Sequence, residues 1–165
     1  MTKAILKGCA LENPNFILNQ MDLFEKIKSR TDVLDNIDEA KLEGIFKNTK
    51  IDKRYTTMNH SKLFAKTLNY DERRSNYNDI GGKLAVSVAR KAMLEANLNA
   101  EDFGQIITVS NTDFSTPGLD IIVMDSLGLP RNINRIPLCF QGCSAGLRGL
   151  AAAKTFCLQN PGTLI

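Results

Sequence analysis

The sequence predicts an α/β fold with crossover connections, and three observations carry that prediction. Helical periodicity alternates along the chain with short apolar runs at residues 105–110 and 133–140. The first of these runs, Gln-Ile-Ile-Thr-Val-Ser, is rich in β-branched residues, as a parallel strand covered on both faces is. The second stops at Gly142 and passes through Cys143 straight into a small-residue helix, so a single thiol stands where strand gives way to helix.

Taken in order, residues 3–11 read as a short strand carried by Ala4, Ile5 and Leu6, ended by the turn formers Glu12-Asn13-Pro14-Asn15. Asn19 is placed to cap a helix over 20–30, with Leu23, Phe24 and Ile27 on one face and basic residues in its last turn. A second helix over 38–47 turns Leu42, Ile45 and Phe46 inward. The polar, basic segment 48–58 has two readings, a solvated connection or an anion-binding rim.

The longest helical pattern spans 71–97, with Ala85, Val88, Ala89, Ala92 and Ala96 on one face. Gly81-Gly82 within it would cost about 1 kcal/mol each in an exposed helix, so they mark either close packing or a break. The strand at 105–110 follows, then a loop, Asn111 to Gly118, at its C-terminal end, where open α/β sheets collect ligands. A helix over 119–127 places Leu119, Ile122, Val123 and Leu127 on one side and ends at Gly128. Pro130 breaks the chain before the strand at 133–140. The helix after Cys143 carries Ala145, Gly146, Gly149, Ala151, Ala152 and Ala153; so little bulk predicts a central, buried helix. No repeat or low-complexity tract suggests a boundary, and 165 residues suit one domain.

Bulk properties exclude several classes. With 43% hydrophobic and 24% charged residues the chain is neither disordered nor a disulfide scaffold. Its net charge of +3 is dispersed, unlike the basic stripe of a nucleic-acid binder. No apolar run nears the roughly 20 residues of a membrane span, and the N-terminus lacks a signal-peptide core. A cytoplasmic protein with free thiols is expected. Cys9, Cys139, Cys143 and Cys157 form no C-x-x-C pair, which argues against zinc. Cys9, Cys139 and Cys157 sit among apolar neighbours and read as buried small hydrophobes. Cys143 differs: the positive end of a helix dipole favours a thiolate there, hence a nucleophile. A redox-sensing cysteine is the bland alternative, weakened by the lack of a neighbouring resolving cysteine.

From Lys41 onward the sequence resembles the N-terminal half of a type III polyketide synthase, the chalcone-synthase-like branch of the thiolase superfamily. The resemblance is most specific in T-x-x-x-x-P-G-L-D from Thr112, L-G-L-P from Leu127, R-I-P from Arg135, and Q-G-C-S-A-G from Gln141. Ile51 to Tyr55, Arg74 to Tyr77 and Gly104 to Ser110 also look like the family's segments. The resemblance implies a thiolase-like fold of two βαβαβαββ-type halves, with residues 1–165 forming the first half and the second half absent. It implies a homodimer, or a chain complemented by a C-terminal half. It implies Cys143 as the catalytic nucleophile, acylated from an acyl-CoA before decarboxylative condensation with malonyl-CoA, with no cofactor and no metal. By the same resemblance Thr112 and Thr116 line the substrate cavity, Thr116 from across the dimer, and Lys41 meets CoA phosphate. Gly44 and Asn48 fall where the family has further bases, and Lys47 and Lys50 stand nearby as substitutes.

The family completes its site with a histidine and an asparagine from the second half. The sole histidine here, His60, matches neither and reads as a solvated loop residue. The chain is therefore expected to be a fragment, a truncated product or half of a split enzyme, competent at most for acylation. The alternatives are a ketoacyl-carrier-protein synthase III-like condensing enzyme, or a non-catalytic chain that only partners a full-length synthase.

Overall fold

The computed structural model describes residues 3–29, 38–64, 69–112 and 115–165. Arg30, the expected end of the first helix, lies outside the described residues, as do Asp113 and Phe114 and the side chain of His60. By its contacts the chain divides into two compact units, Asn13–Asn69 and a second made of Met1–Glu12 with Tyr70–Ile165. Nothing in composition marks that division.

In the unit Asn13–Asn69, β1 (Phe16–Asn19) runs antiparallel to β2 (Lys53–Thr56), with Phe16 opposite Thr56 and Asn19 opposite Lys53. Neither strand was expected. β2 falls in the basic segment, and its pairing with β1 supplies the order that a solvated connection would lack. Asn19 does cap α1 (Gln20–Lys28), accepting from the N–H groups of Met21 and Asp22. Asp38 does the same for α2 (Glu39–Asn48), accepting from Ala40 and Lys41. Phe24 is buried with its ring tilted against Phe46, centroids 5.6 Å apart. Ile45, expected inward, is 61% exposed, and of the three expected inward residues Leu42 and Phe46 alone are partly covered. Buried Gln20 ties the unit together. Its Nε2 donates to the Phe46 carbonyl (3.3 Å) and Thr49 Oγ1 (3.1 Å), while its Oε1 accepts from Arg54 Nε (2.6 Å). A short helix α3 (His60–Phe64) follows β2.

In the other unit, residues 3–11 form no strand. Ile5, Leu6 and Leu11 are 75–80% exposed, and no neighbouring strand among the described residues takes up their backbone groups. The segment lies instead along a helix: a Cβ on Gly8 would come within 2.6 Å of the Ala92 carbonyl oxygen. Glu12 accepts from Ser87 Oγ (3.0 Å) and pairs with Lys91.

That helix is continuous through the glycine pair. α4 (Tyr70–Asn76) passes into a π-helical turn (Tyr77–Gly81) and on into α5 (Gly82–Glu95), with helical dihedrals at Gly81 and Gly82. Close packing, not a break, explains Gly82: it is buried, and a Cβ there would stand 3.2 Å from Ile122. Asn97 ends the helix with φ 52°, while Leu98 N–H reaches the Met93 carbonyl and Asn97 N–H the Leu94 carbonyl. This left-handed cap satisfies carbonyls the helix leaves open.

β3 (Gln105–Ser110), α6 (Leu119–Leu127) and β4 (Asn134–Cys139) make a strand–helix–strand crossover with a parallel pairing, Gln105 opposite Asn134 and Ser110 opposite Cys139. α6 ends at Gly128, φ 69°, as the sequence requires. Met124, Leu129 and Ile133 form the core, with Phe103, Ile106 and Ile121 against them. Buried Asp120 accepts from Arg135 Nη1 at 2.9 Å, joining the start of α6 to β4. α7 (Ala145–Gln159) lies on the strand pair, Gly149 so close that a Cβ would meet Val109 at 3.2 Å. The burial expected for this helix holds on that side alone. Ala145 and Gly149 are buried, whereas Leu147 and Leu150 are 73% and 62% exposed because no described element covers them.

Candidate active site

Parallel pairing brings the C-terminal ends of β3 and β4 side by side, and the site grows from that edge. Phe140 N–H donates to the Ser110 carbonyl at 3.0 Å, extending the ladder one residue past β4. The chain then turns through two left-handed residues, Phe140 (φ 53°) and Gly142 (φ 71°). Glycine adopts this readily, but for phenylalanine it costs roughly 1–2 kcal/mol. Gly142–Ser144 forms a 3₁₀ turn that feeds directly into α7. Cys143, in its middle, is exposed. Ser144, the N-cap of α7, makes no side-chain capping bond, so the side chain at that position leaves the first N–H groups of the helix to other acceptors.

Asn111, the first residue beyond β3, grips this turn from the side. Its Nδ2 donates to the Gly142 carbonyl and its Oδ1 accepts from the Gly142 N–H, both at 3.0 Å. The sequence offers only a faint signal for this residue, an amide at the end of an apolar strand.

The other expected site residues fall as follows. Thr112 is exposed, one residue past Asn111, and its N–H donates to Ser110 Oγ at 3.4 Å. Thr116 is also exposed, and its carbonyl accepts from Arg74 Nη2 at 3.5 Å. The neighbouring Ser115 Oγ donates to the Pro117 carbonyl (2.8 Å) and lies 3.0 Å from Asn78 Oδ1 in the π turn. Asn78 is thus a second residue that holds the loop and was not foreseen. The fold brings Thr112 to the same strand edge as Cys143. Lys41 belongs to the other unit, on α2, with its ammonium 3.7 Å from Asp38 and its side chain 82% exposed. Lys47, a suggested substitute, is paired with Glu43 at 2.6 Å.

All four cysteines are free thiols. Cys139 and Cys157 are half-buried, but Cys9 is exposed, contrary to expectation, because the segment that carries it is not part of a sheet. A cleft of about 470 Å³ is lined by Lys83, Ser87, Arg90, Ile122 and Ser126 among others, and Cys143 is not part of its wall. Among the described residues no three His, Cys, Asp or Glu side chains gather as a metal site would need, and no helix is long and apolar enough to cross a membrane.

Comparison with known proteins identifies the family of this fold. The family of chalcone and stilbene synthases, N-terminal domain, matches residues 2–165. Type III polyketide synthase A of Arabidopsis thaliana is 30% identical across 99% of this chain and 43% of its own length. Type III polyketide synthase 21 of Oryza sativa is 31% identical across 99% of this chain and 44% of its own. Among solved structures, PKS-I from the brown alga Ectocarpus siliculosus superposes with a TM-score of 0.80 at 28% identity, over 96% of this chain and 45% of that one. The fungal type III polyketide synthase ORAS gives 0.80 at 29%, over 93% and 41%. The chain therefore spans less than half the length of the relatives it matches, and it has the N-terminal part of their thiolase-like fold. With its family match running from residue 2 to residue 165, this chain belongs to the chalcone and stilbene synthases, within their N-terminal domain.

Proposed function

We propose that this chain carries the acylation site of a type III polyketide synthase-like transferase, with Cys143 as nucleophile. One observation carries the reading: in a chain of this family, Cys143 stands exposed in the 3₁₀ turn that opens α7, at the shared C-terminal edge of β3 and β4. The Cys143 sulfur attacks the carbonyl carbon of an acyl-CoA. The bond from that carbon to the CoA sulfur breaks, and the thiol proton leaves with free CoA. The N-terminus of α7, which no N-cap side chain covers, favours the negative charge that passes through this step.

In this reading Thr112 lines the acyl cavity, Thr116 reaches into that of a dimer partner, and Lys41, only loosely paired with Asp38, meets a CoA phosphate. Condensation with malonyl-CoA needs more, because negative charge develops as CO2 leaves. One oxyanion donor is worth about 10²–10³ in rate, and we assign that role to no residue of this chain. Its sole histidine, His60, lies in the other unit from Cys143.

The test is a labelled acyl-CoA incubated with the chain, with the label located by peptide mass spectrometry. Label at Cys143 that disappears in Cys143→Ala is expected. Label at another residue, or none, counts against the proposal.

A further inference from the structure

We propose that Asn111 is the positioning residue for the Cys143 thiol, acting through the Gly142 peptide groups. This rests on the acylation reading for the role of Cys143, but the clamp itself is read from geometry. Asn111 meets both polar groups of one residue, accepting from Gly142 N–H and donating to Gly142 C=O at 3.0 Å each. The arrangement fixes which way the amide faces, since a flip would set two donors and two acceptors against each other.

The turn it grips needs holding. Phe140 and Gly142 both have positive φ, and phenylalanine does not choose that conformation unaided. A Cβ on Gly142 would meet nothing within 4 Å, so glycine is required there for its φ of 71° and not for space. Two ties in succession join the strand ends: Phe140 N–H to the Ser110 carbonyl, then Gly142 to Asn111. Cys143 is the next residue. Its backbone enters α7 from a peptide whose orientation β3 sets, so the sulfur stays at the helix end.

Only asparagine does this from that position. Aspartate would accept from Gly142 N–H but face its carbonyl with a second oxygen, and alanine would leave the Gly142 N–H to water and its carbonyl with the Ala145 N–H alone.

The experiment uses the full chain as wild type, Asn111→Ala and Asn111→Asp. Iodoacetamide alkylation is resolved by peptide, with exposed Cys9 as the internal rate reference and half-buried Cys139 and Cys157 as reporters of unfolding. In Asn111→Ala the Cys143-to-Cys9 rate ratio should fall roughly two- to fivefold as the sulfur leaves the helix end. Amide exchange at Gly142 should quicken, with Cys139 and Cys157 still protected. Asn111→Asp should fall between the two, and it decides the matter if the alanine variant does not fold. An unchanged ratio in a folded variant overturns the proposal. So does parallel labelling of Cys139 and Cys157, which would mean Asn111 supports only the fold. Should wild-type Cys143 alkylate but accept no acyl group, the acylation reading fails while the ratio still decides the clamp.

Discussion

Glu12 shows how one side chain fixes a segment that secondary structure does not. The hydrogen bond from Lys91, then that from Ser87, holds its carboxyl below the ordinary 4.5. A carboxylate with a lowered folded pKa stabilises the fold fully above its ordinary value and loses that contribution as pH falls through the folded one. Glu12→Gln should therefore lower Tm slightly at neutral pH, and the gap from wild type should close below pH 4.5. Thermal melts across pH check this; a gap independent of pH would assign the effect to something other than charge. Asp120 and Arg135 tell a related story farther along the chain. The P-G-L-D and R-I-P motifs look separate in the sequence, yet their charged members meet at 2.9 Å.

Helix α7 is the element on which the site depends, and its two glycines have different duties. Gly149 lets the helix backbone approach β3 and β4, whereas a Cβ at Gly146 would meet nothing within 4 Å. Gly149→Val should lower stability by about 1–3 kcal/mol through overpacking. Gly146→Ala, with space for the methyl, should leave stability unchanged or raise it by up to about 1 kcal/mol. Denaturant titration measures both, and the reverse order would mean that α7 sits differently on the sheet. The small-residue pattern of this helix was legible, but which small residues touch the strands was not. That depends on how the helix is rotated about its axis, which the crossover from β3 to β4 decides. In the same way Gly81-Gly82 left packing and breakage open until Ile122, far along the chain, was seen against Gly82.

At the scale of the whole molecule, apolar surface remains uncovered. Leu147 and Leu150 are 73% and 62% exposed on one helix, with Phe140 58% exposed before it. Exposed apolar side chains on one helix promote association. The double variant Leu147→Lys/Leu150→Lys should bind less hydrophobic dye and self-associate less in sedimentation, with Tm unchanged. A fall in Tm of several degrees would show that these side chains are covered in solution. The sequence by itself determined the elements whose signals are local. These are the caps at Asn19 and Gly128, the strand at Gln105–Ser110, the helix at Leu119–Leu127, and the strand–cysteine–helix junction with its family. Such features depend on residues a few positions apart, so they are written in the order of the chain. Tertiary structure alone decided the rest. It refused residues 3–11 a strand, because a strand exists only with a partner, and it made β1 and β2 from segments that signal little by themselves. It also set Asn111 against Gly142: a hydrogen bond between residues 31 apart exists only once two parallel strands have brought their ends together.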